Sequence, residues 1–317
     1  DANLILGRLN PDNFLGGDIT LNTDAAKHAI YETCAQPLGL SLDQAAHGII
    51  EIANAAMVNA VRLVSVQRGF DPRDFVLVAF GGAGPVHANR IADELEVPTL
   101  MIPMSPGIFS ATGLLVTDLK HDFSVTMIQL EEDLDVMAVE QAFTRMVDMG
   151  VDALTKESTS PDQMHFKRTT DMRYFGQSFE LTIPVPGETL SEKVLLDVLQ
   201  TFHREHKRAY GFAAPDEPVE FVNFHVTAIG DISKPTLTRL EYSEQNPGTA
   251  LTGNRSVYFE EVGGRNYSPI YDRHMLSRGN EIPGPAIVEE RDSTTVIHPG
   301  YTAQVDDYGN LLIKKDH

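Results

Sequence analysis

The stretch Phe75-Val76-Leu77-Val78-Ala79-Phe80-Gly81-Gly82-Ala83-Gly84-Pro85-Val86-His87 decides how the rest of the chain is read. Its first six residues are apolar with no polar alternation, which predicts a short strand covered on both faces. The glycines that follow let the backbone come close to a flat or anionic ligand. A helix is predicted from Val86 to Leu95, and its N-terminus offers free N–H groups and a positive dipole end. In open α/β sheets, ligands collect outside the carboxyl ends of the strands. Gly81, Gly82, Ala83, Gly84 and Pro85 are therefore candidate ligand-binding residues, and His87 in the first helical turn is a candidate contact. A tight strand-to-helix turn without any ligand accounts for the same spacing equally well. The motif is neither the six-position dinucleotide fingerprint nor a P-loop, because no Gly-Lys-Ser/Thr follows. Local packing explains His87 more simply than metal ligation, since no second ligand lies at metal-site spacing.

Working outward, the flanks repeat the alternation of helix and strand. Upstream, Ser41 and Gln44 form a capping box that opens a helix over Leu42–Arg68, with apolar residues at helical spacing and Gly69 as its left-handed stop. A shorter helix is predicted over Asn22–Gln36, capped by Thr23 or Asp24. Downstream, Thr99–Ile102 reads as a second strand, and Ser105-Pro106-Gly107 leads into a helix over Ile108–Val116. This order implies parallel strands joined by a right-handed crossover. After Asp118 the pattern changes to an α+β region: helices over Leu134–Leu154 and, from a Thr189/Glu192 capping box, up to Tyr210; strands at Gln163–Tyr174, Ser178–Val185 and Val219–Ile229. From Pro235 short strands separated by Pro, Gly and Asp predict a small β-sandwich or barrel. The expected domains are residues 1–120, 121–232 and 233–317.

Composition narrows the function. With 45 acidic against 25 basic side chains the net charge is −20, and such a surface repels a polyanion, so no nucleic-acid partner is expected. The basic cluster His203–Arg208 reads as a solvated helix face. Cys34 is the only cysteine, which excludes an intrachain disulfide and a multi-cysteine zinc site and fits a reducing, cytoplasmic setting. No uninterrupted apolar run approaches the ~20 residues of a membrane span, so no membrane partner is expected, and no metal site is assigned. The chain opens on Asp1 as if in the middle of a longer protein. Its first residues gather Asp1, Asn3 and Arg8, which could contact a substrate or clamp a phosphate; a loop whose polar groups pair with one another is the simpler local reading. His203 and His206 lie three apart on one helix, and a buried, hydrogen-bonded His206 is favoured over a metal pair. His225 and His298 stand isolated. Ser293-Thr294-Thr295 offers hydroxyls, but no partner histidine or acid can be tied to them.

Five blocks carry a resemblance. They are Asp1–Leu9 with Phe14-Leu15-Gly16-Gly17; Gly69–Phe75 leading into Phe80–Ala88; Pro106–Gly113; Asp171–Gln177; and Gly284–Glu289. In this order the sequence resembles the hydantoinase A / 5-oxoprolinase / acetone carboxylase β-subunit family over nearly its whole length. The resemblance implies an actin-like ATPase fold whose second half, with parallel strands and crossover helices, begins this chain, followed by the α+β region and the β-rich end. It implies ATP and Mg²⁺ as cofactors, with Gly81–Pro85 as the adenosine turn. Family members carry Asp-x-Gly-Gly-Thr-type phosphate turns upstream. Here Gly16-Gly17, Gly81-Gly82 and Gly263-Gly264 are not followed by Thr, so the chain reads as the C-terminal portion, with an N-terminal ATPase segment belonging to the same protein. The implied activity is ATP-dependent opening of a small cyclic amide, such as a hydantoin or 5-oxoproline, by phosphorylation of its carbonyl, completed by a hydantoinase B-type partner. The portion alone is expected to be inactive. An ATP-dependent ketone carboxylase and a non-catalytic module that docks the partner are the alternatives. The resemblance names no catalytic residue, and assembly of several copies of the chain is left open.

Overall fold

The computed structural model describes residues 1–187, 189–243 and 245–316. It forms two compact units, Asp1–Leu114 with Thr236–His317, and Leu115–Pro235.

In the first unit the Val76–Val78 strand runs parallel to Thr99–Ile102, with Leu77 opposite Leu100, and the Gly84–Glu94 helix makes the connection between them. The expected crossover pair is present. The sheet then continues through residues from the far end of the chain. Leu311–Lys315 pairs antiparallel with Thr99–Ile102, placing Leu312 opposite Met101, and Tyr301–Val305 and Glu281–Pro283 follow in turn. The expected independent domain over residues 233–317 is therefore corrected: this segment completes the same unit as residues 1–114. The physical reason is core volume. Its strands are three to nine residues long, too short to enclose an interior of their own. Ile282, Ala303, Leu311 and Ile313 instead share one core with Ala88, Leu100 and Ile102.

A second sheet orders Thr294–Ile297, Ala286–Glu289, Gly264–Asp272 and Leu251–Phe259. Ala286–Glu289 lies parallel to Gly264–Asp272 and makes an antiparallel hairpin with Thr294–Ile297. Val86 of the crossover helix packs with Val257, Phe259, Ile287 and Val296 of this sheet. The helix is thus clasped between elements from both ends of the sequence.

The Val76–Val78 strand is not covered on both faces as its composition predicts. Val76 is 52% and Val78 37% exposed, with Phe75 and Phe80 similarly open. The strand stands at the sheet edge, so continuous apolarity here marks an uncovered surface rather than a buried one.

The Leu42–Val64 helix begins with the predicted capping box: Gln44 N–H donates to Ser41 Oγ at 3.2 Å, and Ser41 N–H donates to Gln44 Oε1 at 3.0 Å. Ala45, Ala46 and Ile50 pack against Ala2, Ile5 and Leu6. Extended by a short turn to Arg68, this helix is long and apolar enough on average to cross a membrane, a property that a search for unbroken apolar runs misses because Glu51, Asn54 and Asn59 interrupt the run. Its opposite side exposes Ile52, Leu63 and Val64. The helix that opens at Thr23 is capped by Asn22, whose Oδ1 accepts from Ala25 N–H at 2.9 Å, one residue before the expected cap.

The second unit has the α+β character expected of the middle region. Its antiparallel sheet orders Leu119–Leu130, Val219–Gly230, Met164–Tyr174 and Leu181–Val185. The Val136–Lys156 and Glu192–Tyr210 helices contribute Phe143 and Phe202 to a core with Phe221 and Phe224. Leu119–Leu130 was not expected as a strand; it alternates half-buried with exposed residues but mixes Lys120, His121 and Asp122 into its start. The second helix is capped by Ser191, whose Oγ accepts from Val194 N–H at 3.3 Å, rather than by Thr189. His206 is buried and hydrogen-bonded through Nδ1 to the Phe212 carbonyl at 2.9 Å, as the simpler reading predicts.

Because the two ends of the chain share one core, Ile313→Ala should destabilise the first unit by about 2–5 kcal/mol. Urea denaturation measures the loss, and amide exchange at Thr99–Ile102 should accelerate with it. Unchanged exchange there would separate the two segments.

Candidate active site

The glycine turn is shaped by two neighbours. Gly81 adopts φ +86°, a left-handed conformation that suits glycine, and its N–H donates to the Pro106 carbonyl at 2.7 Å. A Cβ on Gly82 would stand 2.9 Å from the Asp292 carbonyl oxygen, and one on Gly107 only 2.1 Å from Asp292 Oδ2. Asp292 belongs to the turn between Ala286–Glu289 and Thr294–Ile297. That turn is closed by Glu290 N–H donating to the Ser293 carbonyl at 3.0 Å, and Ser293 Oγ donates to the Gly82 carbonyl at 3.4 Å. Gly82 is needed because the Asp292 backbone lies against it, and Gly107 because the Asp292 carboxylate does.

A cavity of about 390 Å³ opens beside this contact. Gly82, Ala83 and Val86 form one wall, Leu9, Phe14 and Leu15 another, and Asn3 and the Glu289–Thr294 turn complete it. Aliphatic and aromatic side chains share the lining with three asparagines, the carboxyl residues Glu289, Glu290 and Asp292, and Arg291. A second, more polar cavity of about 720 Å³ adjoins it, and Glu289, Glu290 and Arg291 line both.

The predicted residues divide accordingly. Gly82 and Ala83 face the cavity; Gly81 shapes the turn; Gly84 and Pro85 begin the helix. His87 lies half-buried one turn on. Its Nδ1–H donates to Asn54 Oδ1 at 2.8 Å, and its Nε2 faces Asn3 Nδ2 at 3.4 Å. Burial, then the nearby Arg8 charge, lowers its pKa, so the neutral ring accepts from Asn3. Arg8 is 2% exposed, and burial brings its guanidinium down to about 10 despite Glu261 and Glu51 nearby. Its Nη1 donates to Asn3 Oδ1 at 3.4 Å. Asn3, Arg8 and His87 therefore form one polar chain, and of these only Asn3 lines the 390 Å³ cavity. Asp1 is exposed and its side chain caps nothing, so it stands outside the chain.

Two groups that sequence reasoning passed over are part of this region. His298, read as isolated, is buried; its Nδ1 pairs with Glu261 Oε1 at 2.8 Å and its N–H donates to Asn89 Oδ1 at 2.9 Å. Burial keeps the ring neutral, while its hydrogen bond and Arg90 hold Glu261 ionised against the pull of burial. Glu290 is the other. Burial first, then the like charges of Asp292 and Asp272, push its carboxyl up to about 7 against the pull of Arg273. No local signal in the sequence marks either residue. The amides of the turn and the apolar walls fit a nucleoside. Among the described residues no three His, Cys, Asp or Glu side chains converge to hold a metal ion.

Comparison with known proteins agrees with this architecture. The Hydantoinase/oxoprolinase family model matches residues 1–123, and the Hydantoinase/oxoprolinase C-terminal domain model matches residues 129–315. An uncharacterized protein of Methanocaldococcus jannaschii is 41% identical over 99% of this chain and 44% of its own length. Caprolactamase subunit alpha of Pseudomonas jessenii is 31% identical over 100% of this chain and 46% of its own. The crystal structure of that ATP-dependent caprolactamase superposes over the whole chain and 46% of its own with a TM-score of 0.81 at 30% identity. A nucleotide-free acetone carboxylase structure gives the same TM-score at 25% identity, over 99% of this chain and 46% of its own. The chain spans under half the length of these relatives. Matched along nearly its whole length by the two family models, the chain belongs to the hydantoinase/oxoprolinase family.

Proposed function

We propose that these residues supply the nucleoside-holding half of an ATP-dependent enzyme that opens cyclic amides. The carrying observation is the cavity of about 390 Å³ whose wall is the glycine turn at the end of a parallel strand. Backbone amides and a helix N-terminus border it, which suits the ribose and first phosphate of a nucleotide, and its apolar walls suit a base. Phosphorylating the oxygen of a stable amide turns a poor electrophile into a good one, and a hydantoinase B-type partner then completes hydrolysis. The relative named as an ATP-dependent caprolactamase supports this choice of substrate class. The sequence contains no Asp-x-Gly-Gly-Thr turn, so we assign phosphate positioning, with its Mg²⁺, to chain outside these residues.

A second reading, a module that docks a partner, is favoured by one feature. Phe75, Val76, Val78, Phe80 and Ile108 are all exposed along the edge strand and the turn beside it. An edge strand with an apolar flank invites another protein surface. The two readings are compatible: the module would hold the nucleoside and present this strip to the segment that holds the phosphates.

The 317-residue chain alone is expected to release no phosphate from ATP above background; steady turnover by it would contradict the division of labour. Full-length protein co-expressed with its partner subunit should hydrolyse ATP in response to hydantoin, 5-oxoproline or caprolactam. A response only to acetone with bicarbonate would move the assignment to the ketone carboxylases. In the same assembly, Gly107→Ala places a methyl group on the Asp292 carboxylate. It should cost about 1–3 kcal/mol of stability and weaken ATP binding, measured by calorimetry, by roughly tenfold or more, equivalent to ~1.4 kcal/mol. Undiminished binding would detach the cavity from the nucleotide.

A further inference from the structure

We propose that Glu290 is the proton acceptor of this site, taking the proton that the substrate must lose when its carbonyl oxygen is phosphorylated. The proposal rests on the ATP-dependent reading above and extends it to a named residue. Glu290 stands in the wall shared by the aliphatic cavity beside the glycine turn and the larger polar one, where a nucleotide on one side and a small polar substrate on the other would meet. Its position is fixed: its own N–H closes the turn on Ser293, and two residues on Asp292 is lodged against Gly82 and Gly107. Its carboxylate has no side-chain partner among the described residues, whereas neighbouring Glu289 is tied to Arg255 at 2.8 Å and Arg291 to Asp18 at 2.9 Å.

The groups around it set its proton affinity. Arg273, 2% exposed, lies behind it, and its Nε and Nη1 lack partners among the described residues. Asp272 and Asp292 press it toward the protonated form. Asp12, Arg255, His274, Glu289 and Arg291 complete the charged lining. A carboxyl that titrates near neutrality in a cavity suits proton transfer, because both its forms are populated at working pH.

The chemistry requires such a group. When a lactam carbonyl oxygen attacks the γ-phosphorus of ATP, an O–P bond forms and the bond to ADP breaks. The ring N–H must then surrender its proton, its electron pair becoming the C=N bond of the imidate phosphate. Glu290 carboxylate takes that proton and becomes the carboxylic acid. A ketone losing an α-hydrogen to give an enol phosphate would use the same acceptor, so the role does not depend on which of the two substrate classes is turned over.

The test uses the full-length protein in complex with its partner subunit, in wild-type, Glu290→Gln and Glu290→Asp forms. Wild-type substrate-dependent ATP turnover should rise with pH through about 7. Glu290→Gln should lose about 10²-fold or more; Glu290→Asp should keep part of the rate with the rise displaced to lower pH. Thermal unfolding gives a readout independent of turnover. A carboxyl raised in the folded state contributes stability below its unfolded pKa and loses it as pH climbs through the folded one. Glu290→Gln should therefore gain in Tm relative to wild type at pH 8 but not at pH 4. If wild type binds ATP and the glutamine variant turns over within tenfold of it with an unshifted pH profile, the role of Glu290 falls and the nucleotide reading stands. If wild type binds no ATP, both fall.

Discussion

The architecture of the first unit turns on one seam, the pairing of Thr99–Ile102 with Leu311–Ile313. It joins strands separated by some two hundred positions, and a buried arginine secures it. Arg273 sends Nη2 to the carbonyls of Ile102 and Gly309, one on each side of the seam. Removing a guanidinium from water is costly, and burial brings this one down to about 10; its bonds to two backbone carbonyls offset part of that cost. Once the seam is closed, the strands that follow Arg273 have their places. Glu281–Pro283 extends the first sheet and Ala286–Glu289 enters the second, which brings the Glu289–Thr294 turn onto the glycines. The site is a consequence of this seam, because neither the glycine turn nor the hairpin turn makes a cavity by itself.

A second constraint is the amount of polar matter the unit buries. Arg8, Asn54, Asn89, Arg273 and His298 are all under 4% exposed. They do not form isolated pairs. Arg8 leans on Asn3, Asn3 on His87, and His87 on Asn54, while Asn89, two residues beyond His87 on the same helix, accepts from the His298 backbone. Such networks fix relative positions because each member has few acceptable geometries. The crossover helix is therefore held in rotation as well as in place, which keeps Ala83 and Val86 facing the cavity. The functional demand and the structural expense fall on the same helix.

What could be read in the sequence was local. The Ser41/Gln44 capping box, the glycine stop at Gly69 and the strand–turn–helix at Val76–Glu94 each depend on residues a few positions apart, and each is found where its spacing puts it. The candidates Asn3, Arg8 and His87 do come together directly; Asn54, which nothing in the pattern marked, holds the other nitrogen of the His87 ring. Beyond two helix caps misplaced by one or two residues, the failures are non-local. Leu312 gives no hint that Met101 is its partner, so the C-terminal strands looked like a domain of their own. His298 acquires its setting from Glu261 and Asn89, and Glu290 from Asp272, Asp292 and Arg273. The Phe75–Phe80 run misled for a related reason: apolarity says a surface avoids water, not that this stretch of chain contains its cover.

That last point bears on how the unit works. The exposed strip and the glycine turn are contiguous in sequence, and Phe80 links them by packing its ring 5.3 Å from that of Phe109. A surface that covers Val76 and Val78 would lie next to the mouth of the cavity proposed to hold the nucleoside. If such a cover and a nucleotide both ordered the turn, each would favour the other, since coupling between two binding events is reciprocal. An enzyme of the proposed kind must keep water from the phosphoryl group. Under that proposal, an apolar edge left open until its complementary surface arrives would tie closure of the site to its completion.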